Sequence, residues 1–223
     1  MSFILNIDTA VQTASVCLSD DDKLLGTRIN PTQKDHASWL HIAIKELLEE
    51  HSIRPGDLKA VGISAGPGSY TGLRVGMATA KGLCYSLQIP LISINTLRMM
   101  ASAARGETAE LLCPMIDARR MEVFTAIFNQ DLQEIMPSSN LILDEMTFSP
   151  WLEQQRMSFF GNGSNKLQSI LKHKNAIFSV IEANASHLAP LSYEKFRQGD
   201  YADLAYSEPF YGKDFHSTMK QSL

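Results

Sequence analysis

One pattern, a run of short strands followed by alternating helix and strand, occurs twice along this chain and constrains its fold more than any single motif. In the first pass "FILNID", "TASVCLS" and "KLLGTRIN", parted by polar turns such as "SDDD", predict an antiparallel meander within residues 3–30. A helix is predicted from Thr32 to His51, because Leu40, Ile44, Leu47 and Leu48 recur at helical spacing while Lys45, Glu46, Glu49 and Glu50 take the other side. The apolar "KAVGISAG" reads as a strand inside a parallel sheet. A glycine-rich stretch delivers it to a helix over Thr71–Leu87, and "IPLISI" and "TLRMMASAA" continue the alternation. After about residue 105 the pattern restarts with "ELLCPMIDA", "EVFTAIF" and "LQEIM". It continues with "SPWLEQQ", the strand "MSFFGNG", the helix "SNKLQSILK" and a last helical region over Glu182–Gln198. Two similar α/β lobes are expected, over residues 1–100 and 101–215, with a polar tail at 216–223.

At 223 residues and 44% hydrophobic content, the chain can bury a sizeable core. "MSFILNID" has no basic leader and only a short apolar stretch, so neither a signal peptide nor a membrane span is expected. Cys17, Cys84 and Cys113 are widely spaced among apolar neighbours, which suits buried reduced thiols and a cytoplasmic location. A formal net charge of -4 with no basic run argues against a protein that grips nucleic acid alone. If RNA is involved, another subunit is expected to supply the positive surface.

The stretch "GPGSYTGLRVGMATAKGL", residues 66–83, admits two readings. A Walker loop needs glycines at a fixed spacing followed by Lys and Ser or Thr, and Leu73 stands where the lysine should be. A dinucleotide fingerprint fails at Thr71, which takes the place of the third glycine. Free amides at the start of the helix would still suit an anion near Gly66, Gly68 and Ser69, with Arg74 one turn in. In the second reading Gly76 and Gly82, each costing about 1 kcal/mol relative to alanine inside a helix, are offset by close approach of another backbone. Gly72, Gly76 and Ala80 step by four and make a smooth flank. That flank faces either a partner or the chain's own sheet. On the preceding helix, Trp39 and Ile42 form a second apolar edge off the main stripe, which admits the same two readings.

A complete catalytic set is missing. Of His36, His41, His51, His173, His187 and His216, no two have metal-sharing spacing, and solvent-facing or capping roles are expected. Ser69 has no GxSxG elbow around it. Asp8 in "NIDTA" suits turn-ordering or magnesium-holding equally, whereas Asp117 in "MIDARRMEVF" reads better as a salt-bridged tight turn than as a site.

Several of these pieces together, "ILNIDTA", "HASWLHIAIKELL", "SAGPGSYTGLRVGMATAKGL", "IDARRMEVFTA" and "SEPFYGKDF", resemble the TsaB (YeaZ) family in the right order over nearly the whole chain. The resemblance implies an actin-like fold of the sugar kinase, heat-shock and actin superfamily, with two similar lobes, each a mixed sheet flanked by helices. It further implies a noncatalytic subunit that lacks the HxxxH metal motif of the catalytic subunit TsaD. In that system TsaD transfers a threonylcarbamoyl group to the adenosine next to the anticodon, in tRNAs reading codons that begin with A, and the ATPase TsaE joins them.

Pairing with TsaD, or with a second copy when alone, is implied through the first two helices. It carries over to His36, Trp39, Leu40, Ala43 and Leu47 and to Gly72, Gly76 and Ala80. Asp8, Thr9, Gly66, Gly68, Ser69 and Arg74 are then inherited features bordering a nucleotide or phosphate. No cofactor of its own is expected: ATP or ADP and a metal belong to the partner subunits, and tRNA is met only through the complex. The alternatives are a stand-alone ATP-using enzyme or protease of the same superfamily, and a stand-alone RNA-binding protein.

Overall fold

The computed structural model of the chain describes residues 1–30, 32 and 36–212. The expected polar tail at 216–223, His216, the side chain of His36 and the junction at 33–35 where the first helix was to begin lie outside the described residues.

The first meander forms as expected. Strands β1 (Phe3–Asp8), β2 (Ala14–Asp20) and β3 (Lys23–Asn30) are antiparallel, and β4 (Leu58–Ser64) and β5 (Leu91–Ile94) add in parallel on the other side of β1, giving the order β3-β2-β1-β4-β5. The second sheet repeats this plan. Strands β6 (Leu111–Asp117), β7 (Glu122–Asn129) and β8 (Glu134–Ile142) form the meander, and β9 (Met157–Phe160) and β10 (Ala176–Phe178) extend it in parallel. Two mixed five-stranded sheets of the same strand order, flanked by helices, make the actin-like arrangement. Strand β8 runs further than "LQEIM" and passes through Pro137, which is tolerated because β8 is a sheet edge.

Burial explains why β1 and β4 read as continuous apolar runs: both faces of the first sheet are covered. On one face Leu5, Ile7, Val61 and Ile63 meet Leu40 and Leu47 of α1 (His36–Glu50) and Met77 and Ala80 of α2 (Tyr70–Leu87). On the other, Ile4, Ala60, Ile92 and Ile94 meet α3 (Thr96–Ala103), α6 (Ala189–Gln198) and side chains of the second sheet such as Leu112 and Phe128. The far face of the second sheet has its own core around Phe148, Phe159 and Leu167, covered by the short α4 (Ser149–Leu152) and α5 (Ser164–Gln168).

The expected lobe boundaries need correction. The last helical region does not stay with the second sheet: the 3-10 turn Ala185–Leu188 and α6 lie on the first. The Ala185 amide donates to Ser15 Oγ at 2.8 Å and Ser192 Oγ to Asn6 Oδ1 at 2.6 Å. Gly62 makes this approach possible, since a Cβ there would stand 2.2 Å from Ser192 Oγ.

After the left-handed cap at Gly199, the chain runs back over the first lobe as a strap without regular structure. The Ala202 amide donates to Leu91 O at 2.9 Å, and Lys81 Nζ donates to the carbonyls of Ala205 and Ser207 at 3.1 Å each. The Phe210 amide reaches Ala65 O at 2.7 Å.

Candidate functional site

The glycine turn between β4 and α2 is built for close approach to the β1–β2 turn. A Cβ at Gly68 would stand 2.3 Å from Ala10 O, one at Gly72 2.0 Å from Thr9 O, and one at Gly76 2.2 Å from Thr9 Oγ1. Thr9 Oγ1 donates to Gly72 O at 2.7 Å, and the Ser69 amide donates to Ala10 O at 2.7 Å. The Gly66 amide is taken by Thr96 Oγ1 at 3.0 Å. The Gly72 amide goes to the N-capping Ser69 Oγ at 3.3 Å and that of Leu73 to Ser69 O at 2.8 Å. Four amides that a phosphate cradle would offer are thus spent inside the fold. The strap closes the turn from outside, with Phe210 O 2.1 Å from where a Gly66 Cβ would stand.

Asp8 is fully buried beside this turn. Its Oδ1 accepts from the Ala10 amide at 3.0 Å and from Ser64 Oγ, while Oδ2 has no hydrogen-bond partner. Burial pushes its pKa up to about 6 against the opposing pull of those two bonds. Asp8 orders the turn. Among the described residues no group of three His, Cys, Asp or Glu side chains is placed to hold a metal. Arg74 is turned outward: its guanidinium lies 4.6 Å from the centroid of Tyr70, whose ring is 5.1 Å from that of Tyr211. A hydrogen bond with Tyr211 holds its pKa up.

Six of the eight predicted partner residues face inward. Leu40, Leu47 and Ala80 have no exposure, Ala43 has almost none, and Gly72 and Gly76 are buried. The smooth flank therefore packs on the chain's own first sheet, because Gly72 and Gly76 are needed to bring α2 onto Thr9. The outward face of the same two helices carries other residues. Ile42 of α1 is 57% exposed and Trp39 is half-buried. On α2, Arg74, Ala78, Gly82 and Tyr85 recur at helical spacing on the solvent side, with Tyr85 79% exposed. Among the described residues nothing stands within 4 Å of the Gly82 Cβ position, so none of them compensates its helix penalty of about 1 kcal/mol.

The second lobe repeats the construction at Asp117. There Oδ1 accepts from the Arg119 amide at 2.6 Å and from Lys166 Nζ at 2.7 Å. Lys166 Nζ also donates to Glu122 O at 3.0 Å, and Asn162 Oδ1 accepts from the Asp117 amide at 2.9 Å. The bond from Lys166 holds the Asp117 pKa below the usual carboxylate range. This is the salt-bridged tight turn that the residues favoured. Its tip is unusual: Arg119 (φ 69°) and Arg120 (φ 49°) are successive left-handed residues and neither is glycine. Such a conformation costs an L-residue about 1–2 kcal/mol.

Comparisons with known proteins agree with this architecture. The family model described as "TsaD: tRNA N6-adenosine threonylcarbamoyltransferase" matches residues 25–212. The tRNA threonylcarbamoyladenosine biosynthesis protein TsaB of Bacillus subtilis (strain 168) is 31% identical over 86% of this chain and 87% of its own. The chain belongs to the TsaB family. The Escherichia coli (strain K12) TsaB is 26% identical over 93% of each chain. The solved structure of YeaZ from Pseudomonas aeruginosa superposes with a TM-score of 0.81 at 25% identity, covering 95% of this chain and all of that one.

Within this TsaB-family chain the remaining candidates have structural roles. His187 closes a capping box with Asn184, and burial lowers its pKa. His173 Nδ1 accepts from the Asn175 amide at 3.2 Å, and His41 is exposed. Burial pushes the thiols of Cys17, Cys84 and Cys113 up to about 12, 11 and 12, which leaves them unreactive. No helix among the described residues is long and apolar enough to cross a membrane.

Proposed function

We propose that the chain is the noncatalytic activating subunit of a complex in which TsaD transfers a threonylcarbamoyl group to the adenosine next to the tRNA anticodon. Its contribution is a docking surface on the outward side of α1 and α2. TsaD, or a second copy when TsaD is absent, occupies that surface. TsaE, ATP or ADP and the metal act at the other subunits, tRNA is met through the assembly, and the complex works in the cytoplasm.

The observation that carries this reading is Gly82 between Ala78 and Tyr85 on the solvent side of α2, together with the exposed Ile42 of α1. A helix-interior glycine with open space above it, flanked by exposed apolar and aromatic side chains, fits a surface completed by another backbone. The relatives' name, tRNA threonylcarbamoyladenosine biosynthesis protein TsaB, supports a part in that biosynthesis. The test is co-purification with the same organism's TsaD, wild type against Ile42→Glu/Tyr85→Glu, with light scattering and circular dichroism. Loss of a one-to-one complex from a variant with an unchanged spectrum is the expected result. Undiminished complex formation by the variant, or full tRNA modification by TsaD and TsaE without this chain, would overturn the reading.

A further inference from the structure

We propose that the β6–β7 hairpin tip, through Arg119 and Arg120, contacts the phosphate backbone of the RNA substrate in the assembled complex. The inference rests on the reading above for the identity of the complex, but its observations come from the opposite lobe.

Three features of the hairpin converge. Its backbone holds two successive left-handed residues, positions that glycine or asparagine would occupy without strain, yet both carry the bulkiest cation available. Both residues are exposed, and among the described residues neither guanidinium meets a carboxylate. The nearest acid in sequence, Asp117, is spent on Lys166 and on the Arg119 amide. Glu122, at the foot of the turn, takes the Asn140 side-chain amide on Oε2 at 3.2 Å.

The scaffold beneath is rigid. Lys166 ties Asp117 to the Glu122 carbonyl, the Asn162 side chain holds the Asp117 amide, and the turn is closed by the Ala118 amide donating to Glu122 O at 3.1 Å. A rigid, strained turn presenting two guanidinium forks that meet no carboxylate among the described residues is a device for binding anions. In a chain of net charge -4 it is a local reversal of sign. A phosphodiester backbone fits it better than an acidic protein surface: adjacent arginines match a regular row of phosphates, and guanidinium binds phosphate in bidentate fashion.

The test is tRNA binding by the reconstituted complex, measured by fluorescence anisotropy across a salt series, for wild type, Arg119→Asn/Arg120→Gly and Arg119→Lys/Arg120→Lys. The Asn/Gly variant relieves the backbone while removing both charges, so it should melt a few degrees higher than wild type. It should join TsaD normally and yet bind tRNA about tenfold more weakly, with a slope of log affinity against log salt shallower by about 1 to 2. The Lys/Lys variant should retain most of that slope. Loss of affinity from a protein that is more stable excludes unfolding as the cause.

Unchanged tRNA affinity and slope in the Asn/Gly variant would overturn the inference. So would a salt-sensitive loss of assembly itself, which would assign the hairpin to an acidic surface on a partner protein. If wild-type chain fails to join TsaD at all, the proposed function fails first and the inference falls with it. An assembled complex with an unchanged slope sinks the inference alone.

Discussion

The two lobes end their first strands alike, "NIDTA" at Asp8 and "MIDAR" at Asp117, and treat the carboxylate in opposite ways. Asp8 is sealed under a glycine turn, an adjoining helix and the returning strap, and burial raises its pKa to about 6. Asp117 keeps a side-chain exposure of 41%, and Lys166 at 2.7 Å holds its pKa down. Each lobe has a glycine turn after its parallel strand: Gly68 and Gly72 press on Ala10 and Thr9, and Gly161 and Gly163 on Met115 and Ile116. What differs is the cover. The first lobe sets an eighteen-residue helix and the strap over its turn, and the second only the five-residue α5. One copy of the plan is closed by its cover, and the other keeps the tip of its hairpin, Arg119 and Arg120, exposed.

The sharpest way to break this contrast is at the glycines. Gly72→Ala drives a methyl against backbone at 2.0 Å, whereas Gly163→Ala meets Val123 Cγ1 at 2.9 Å and the Ile116 backbone carbon at 3.1 Å, a much smaller overlap. The first should cost about 3 kcal/mol or more and the second about 1 kcal/mol in urea denaturation. Equal losses would mean that the first turn is no more closed than the second.

The carboxylates give the next effect. Because the folded pKa of Asp8 is raised from 3.8 to about 6, the folded chain keeps a proton that the unfolded chain releases. Its contribution to stability is greatest below the unfolded value and falls as pH rises through the folded one, by up to about 3 kcal/mol across the window. Asp8→Asn should remove that fall; melting curves at pH 4 to 7 that keep the wild-type slope would contradict it. The smallest effect, of opposite sign, belongs to Asp117. Its depressed pKa contributes stability above the unfolded value that is lost as pH falls, and exposure limits it to less than about 1 kcal/mol. Asp117→Asn should therefore lower stability slightly at pH 7 and not at pH 2, and a loss that persisted at pH 2 would count against the ion pair.

The succession of strands and helices was legible because it depends on local pattern: short strand-like runs between polar turns, a continuous apolar run in β4 and the helical spacing of leucines and isoleucine in α1. The direction of the glycine flank was not. Gly76, which a neighbouring threonine needs, and Gly82, above which there is open space, are the same letter in the same helix. Spacing groups them on a face without saying what lies opposite. Nor did "NIDTA" and "MIDAR" announce their different burial, since the deciding neighbours, Ser64 and Lys166, stand about fifty residues downstream of each. The strap after Gly199 was missed for a related reason. It has no period to read, and it is held by backbone bonds to Leu91 and Ala65, more than a hundred residues back.

The placement of the 3-10 turn and α6 on the first sheet has a consequence for how the molecule is made. Asn6 waits for Ser192 and Ser15 for the Ala185 amide, so the first lobe leaves the ribosome with part of one face of its sheet bare. At about 5–20 residues per second, that face stays uncovered for on the order of ten seconds or more while the second lobe is synthesised. The nascent chain must be kept from sticking to its neighbours until residues 185–198 arrive, and a message truncated before residue 185 would release a product with its oldest sheet still open.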